Sequence, residues 1–176
     1  MIPQENLGGL EEELNGDIQN SYAELFETDD RLKIYNDFKK LKQLTKIVPN
    51  QAVVQKGYVG WFRHGDMDTA KLIKDFTRIK PNPEIPEMKE AVHKSYLILF
   101  KRGWTYPIEE LKRFSGIEPS YETTEIKDAV QKGYLSDLED GLIHDAKKLK
   151  GYTGILPSKK LLKKYPQYAK YFGDSQ

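Results

Sequence analysis

The side chains in this sequence that could catalyse a reaction or hold a metal do not fall into the spacings either role needs. None of its 176 residues is cysteine, which removes thiolate nucleophiles, disulfides and thiolate metal sites. The histidines, His64, His93 and His144, are not at metal-ligand spacing, and no His-Glu-x-x-His helix occurs. A Walker A loop, a dinucleotide glycine fingerprint and a Gly-x-Ser-x-Gly elbow are missing as well. Asp66 and Asp68 lack the other ligands of a calcium loop and fit the first turn of a helix, where acids face the positive end of the helix dipole. Carboxylates such as Glu109 and Glu110 have no signalled acid–base partner. A non-enzymatic chain with no metal and no small-molecule cofactor is expected.

What does recur is polar and cationic. Gln55, His93 and Gln131 stand 38 residues apart, each followed by a lysine: Lys56, Lys94 and Lys132. Gln19 and Asn20 occupy the same two places 36 residues before Gln55 and Lys56. Stacked as columns along one wall, these side chains would line a groove suited to an extended acidic peptide or a nucleic-acid backbone. Glutamine and lysine are also ordinary solvated helix formers, so the column by itself does not settle a site. Trp104 follows Gly103 in a turn, where a large aromatic is less readily buried, and is a contact candidate. The run from Ser158 to Phe172 interleaves lysines (Lys159, Lys160, Lys163, Lys164) with aromatics. It suits phosphate binding, or a closing helix whose inner face is Leu161, Leu162 and Tyr165.

The interval belongs to a repeat. Val54-Gln-Lys-Gly-Tyr58-Val-Gly-Trp-Phe62 aligns without gaps to the segments starting at Val92 and Val130, and a degenerate copy starts at Ile18. Apolar or small residues fall at i, i+3, i+4, i+7 and i+8, a helical stripe that takes Tyr22, Tyr58, Trp61, Tyr96 and Tyr134 into the core. The i+3 place is Ser21, Gly57, Ser95 or Gly133, small enough for another helix to cross closely. After Gly65, Gly103 and Gly141 a second, shorter helix is expected, with apolar residues every third position: Phe38, Leu41, Leu44 and Ile47 in the first copy, Ala70, Ile73, Phe76 and Ile79 in the next. Each copy closes alike, with Ile47-Val-Pro-Asn50, Ile79-Lys-Pro-Asn82, Ile117-Glu-Pro-Ser120 and Ile155-Leu-Pro-Ser158. Gly116 and Gly154 suit Schellman stops, the prolines forbid continuation, and Asn50, Ser120 and Ser158 suit N-caps of the next helix.

With period, turn glycine and closing proline in view, the stretch Lys56-Gly-Tyr-Val-Gly-Trp-Phe-Arg-His-Gly-Asp-Met-Asp-Thr-Ala70 resembles a pentatricopeptide repeat. Ile79-Lys-Pro-Asn82 is similar to that family's closing phrase. The wider likeness is to the pentatricopeptide and tetratricopeptide superfamilies of αα-solenoids, which implies either a protein-binding scaffold or an RNA binder.

The expected fold is therefore all-α: a right-handed αα-solenoid of about four helix-turn-helix repeats (18–50, 51–82, 83–120, 121–158). It is preceded by an acidic N-terminal arm or cap at 1–17 and closed by a basic capping helix and tail at 159–176. The net charge of +1 hides strong banding, near −8 over 1–37 and +7 over 146–176, which lets a partner be chosen by one band. Near-neutral total charge favours a protein or peptide partner over RNA. No apolar run approaches the ~18 residues of a membrane helix, and Met1 to Gly9 lacks the regions of a secretory signal, so a cytoplasmic chain without membrane contact is expected.

Overall fold

The computed structural model describes the backbone of residues 4–173 and the side chains of 9–173; Glu5 and Leu7, parts of the expected acidic arm, lie outside the described side chains. Among the described residues the chain is helical throughout and has no strand. The order is α1 (Gln4–Glu27), α2 (Arg31–Thr45), α3 (Gln51–His64), α4 (Met67–Thr77), α5 (Pro86–Lys101), α6 (Thr105–Ser115), α7 (Thr124–Glu139), α8 (Ile143–Thr153), α9 (Lys159–Lys164) and a 3-10 helix (Pro166–Tyr171). The chain forms two compact units, one up to Met88 and one from Lys89. No described helix is long and apolar enough to cross a membrane.

In the first unit α1 packs on α2 and α3, and α4 packs on α3 and α2. Its core is aromatic: Tyr22 lies 5.2 Å from Phe38, and Phe38 stacks on Phe76 at 4.5 Å between ring centroids. Gly57 is small because Phe26 of α1 presses on it; a Cβ there would meet the Phe26 Cβ at 3.0 Å. Trp61 is buried as its stripe position requires, and its indole N–H donates to the Phe26 carbonyl at 2.7 Å. Leu44 departs from the expected stripe and is 72% exposed. Its counterpart Phe76 rests on Phe38 of the preceding copy, and Leu44 has no preceding copy among the described residues to rest on.

In the second unit α8 packs on α7 and α6. Tyr96, Phe100, Tyr134, Leu111 and Leu149 are fully buried. The terminal segment differs from the expected capping helix. α9 is only six residues and fully buries none of them; Leu161, Leu162 and the following Tyr165 are half-buried while its lysines are exposed. The chain breaks at Pro166, and the anchor is instead Phe172, 3% exposed and edge-on to Tyr134 at 5.6 Å. At the other terminus, residues 4–17 of the expected acidic arm or cap are helix, continuous with the rest of α1.

One device ends the second helix in all four copies. A hydroxyl (Thr45, Thr77, Ser115, Thr153) donates to the carbonyl one turn back, and accepts from the N–H two residues on, that of Ile47, Ile79, Ile117 or Ile155. The residue between is left-handed, at φ 58 for Lys46, 62 for Arg78, 72 for Gly116 and 68 for Gly154. Its N–H donates to the carbonyl four residues earlier, and the next N–H goes to the hydroxyl. The stop is thus the αL motif rather than the expected Schellman pair. Asn50 and Ser158 cap α3 and α9 as expected, whereas the cap of α7 is Thr123, not Ser120.

Candidate partner-binding grooves

The site begins with two ladders that hold each closing phrase. The hydroxyls of Tyr22, Tyr58, Tyr96 and Tyr134 donate to the carbonyls of Ile47, Ile79, Ile117 and Ile155 at 2.6–2.7 Å. One turn earlier, the Gln55 amide donates to the Lys80 carbonyl and accepts from the Asn82 N–H, both at 2.8 Å. Gln131 makes the same pair with Leu156 and Ser158 at 2.7 Å, and Gln19 with Val48 and Asn50. An extended strip of backbone has orphan donors and acceptors that must be satisfied; the glutamine satisfies one of each. The amides of Gln19, Gln55 and Gln131 therefore hold the chain's own backbone. His93 stands in this place in the third copy, where its Nε2 lies 3.3 Å from a Glu125 carboxylate oxygen.

By fixing the phrase, the ladders set the chain that follows against the first helix, and a groove results in each unit. In the first unit a cavity of about 650 Å³ is floored by Ala52, Val59 and Ile85 and edged by Gln55, Lys56 and Arg63. In the second a cavity of about 630 Å³ is floored by Leu135 and Leu161 and edged by Gln131, Lys132, Lys160 and Lys164. Val59 and Leu135, Ile85 and Leu161, Lys56 and Lys132 are repeat equivalents, each pair 76 residues apart. The two grooves are thus the same place in the repeat.

The structure brings the expected site residues together only in part. Lys56 and Lys132 edge the grooves, while Lys94 and His93 lie in neither. Lys56 pairs with Glu27 at 2.8 Å and Lys94 with Glu90 at 2.6 Å, whereas Lys132 has no ion pair among the described residues. Of the terminal lysines, Lys160 and Lys164 reach the groove; Lys159 and Lys163 do not. The Lys164 ammonium and Tyr165 hydroxyl both donate to one Glu139 oxygen, at 3.0 and 2.9 Å, which holds the Glu139 carboxyl below its usual range. Trp104 sits elsewhere, at the N-cap place of α6, 51% exposed with the Arg102 guanidinium 4.8 Å over its ring. Where Trp104 stands in that copy, Asp66 caps α4 in the earlier one, with Arg31 donating to it at 2.7 Å and to Asp68 at 3.1 Å.

The floor residues were not among the expected site residues. A signal for them exists: the residue after the stripe tyrosine in the last three copies is Val59, Leu97 or Leu135, apolar although it falls outside the core stripe. Among the described residues no cluster of three or more metal-ligating side chains occurs. No family model, curated protein or solved structure matches the chain.

Proposed function

We propose that this chain is a non-enzymatic binding module: a right-handed αα-solenoid of four helix pairs, of pentatricopeptide or tetratricopeptide type, closed by residues 159–173 and working in the cytoplasm. Each groove takes an apolar side chain of a protein or peptide partner on its aliphatic floor, and an acidic residue of that partner meets the lysine at its edge. The single observation that carries this reading is the recurrence of one lysine-edged apolar cavity at equivalent places in both units. Equivalent subsites are what a repeat protein uses to read an extended ligand. RNA recognition of pentatricopeptide type is the second reading, supported by exposed Trp104 under Arg102. The groove floors carry no aromatic on which a base would stack, which favours the protein partner.

The test is affinity capture from cells with the wild type and with Val59→Glu/Leu135→Glu, each with and without nuclease. A protein captured by the wild type, resistant to nuclease and lost in the double variant supports the groove reading. Capture abolished by nuclease and indifferent to the double variant overturns it in favour of RNA.

A further inference from the structure

α1 is 24 residues long, against 14 for α3. Ile18 of α1 is the counterpart of Val54, the fourth residue of α3, so α1 begins eleven residues ahead of its repeat equivalent, an overhang of about 16 Å. Leu10 and Leu14 lie one turn apart on this overhang and are 56% and 59% exposed. Glu11, Glu12 and Glu13 stand between them, and no basic residue occurs before Arg31. An amphipathic acidic helix with bare leucines is a ligand in search of an apolar groove edged by cations. The second unit has one: Leu135 and Leu161 form its floor, and Lys132 and Lys160 have no carboxylate partner among the described residues. Each groove has one carboxylate in its lining, Glu87 in the first and Asp128 in the second, but the first is less suited because Lys56 is already paired with Glu27, which leaves it Arg63 alone, whereas the second keeps both Lys132 and Lys160.

We propose that the chain associates with itself, the α1 overhang of one copy lying in the Leu135/Leu161 groove of a second copy. This rests on the groove reading above and names the groove's partner. The contact is heterologous: one copy donates α1 and the other accepts it, so both surfaces of every copy stay usable and assemblies grow beyond a dimer unless they close. The −8 and +7 bands attract, and the attraction weakens as salt screens it.

Sedimentation velocity of the full chain tests this with a donor variant, Leu10→Glu/Leu14→Glu, and an acceptor variant, Lys132→Glu/Lys160→Glu. The wild type should associate with rising concentration at low salt and dissociate at high salt. Each variant alone should associate at least about tenfold more weakly, a loss of about 1.4 kcal/mol. Their mixture should restore a dimer and nothing larger, because one good surface remains on each. A wild type that stays monomeric at every concentration reached, or a mixture that stays monomeric, overturns the proposal. A synthetic peptide of residues 4–17 separates this failure from that of the groove. If the peptide binds the wild type and not the acceptor variant while the chain stays monomeric, the groove reading stands and self-association falls. If neither occurs, both fall.

Discussion

A β-carbon on Gly133 would overlap the main-chain carbonyl oxygen of Phe100. Helices α5 and α7 therefore meet backbone to backbone at this point, and the clash is with an atom that no rotamer change can move aside. Gly133→Ala should destabilise the chain by about 2 to 3 kcal/mol, the range of overpacked core sites. Gly151 in α8, whose added Cβ meets nothing within 4 Å, is the control: Gly151→Ala should stabilise by about 0.5 to 1 kcal/mol. Denaturant midpoints of the two variants check both signs.

Tyr96 is fully buried and its hydroxyl donates to the Ile117 carbonyl at 2.7 Å. Tyr96→Ala should cost about 3 to 5 kcal/mol, as large-to-small core changes do. Tyr96→Phe keeps the ring and orphans the carbonyl, so about 1 to 2 kcal/mol is expected. Equal losses in the two variants would show that the ladder bond, not ring packing, carries the energy.

Asp137 is 3% exposed and its Oδ2 has no hydrogen-bond partner among the described residues. Burial, reinforced by Asp145 and then Asp140, pushes its carboxyl up to about 7. The folded state therefore holds a proton that the unfolded chain releases near pH 4. Asp137's own contribution to stability should be greatest below pH 4, fall as pH rises from 4 to 7, and be flat above. Asp137→Asn should abolish this slope and stabilise by about 2 to 4 kcal/mol at pH 8. Urea unfolding of wild type and variant at pH 4, 6 and 8 measures it; a wild type whose Asp137-dependent difference is the same at all three pH values contradicts the assignment.

Asp66 accepts from the Thr69 N–H and hydroxyl and from Arg31, and these bonds outweigh its partial burial and hold the carboxyl below its usual range. Its contribution is present above the unfolded pKa and is lost as pH falls through the folded one. Asp66→Ala should cost about 1 kcal/mol at pH 7. Trp104, at the equivalent place, makes no cap bond, so Trp104→Asp should stabilise by about 0.5 to 1 kcal/mol. Thermal melts compare the pair. A Trp104→Asp variant that is less stable than wild type would mean the exposed indole contributes packing that its 51% exposure hides.

The helices, their period and their stops were legible in the sequence because each depends on residues close together in the chain. The stripe tyrosines, the small residue at Gly57 and Gly133, and the Ile-x-Pro phrase needed only local spacing to be read. The left-handed stops were half legible: glycine marks them at Gly116 and Gly154, but at Lys46 and Arg78 only the hydroxyl clamp common to all four copies is left, and its bonds do not appear in a hydrophobic pattern.

What only the tertiary structure decided is the use of polar side chains and of chain ends. Whether Gln55 faces a partner or its own backbone depends on where Lys80 and Asn82 return, 25 and 27 residues later. Period alone put Leu44 in the core beside Phe76, and it is the Phe38 ring beneath Phe76 that separates the two. The groove was likewise beyond the sequence, since Leu135 and Leu161 are 26 residues apart and become one floor only when the closing phrase is tied down. Helices form from short-range bonds and spacing, so a sequence can declare them; a site is a meeting of distant residues, and folding has to bring them together.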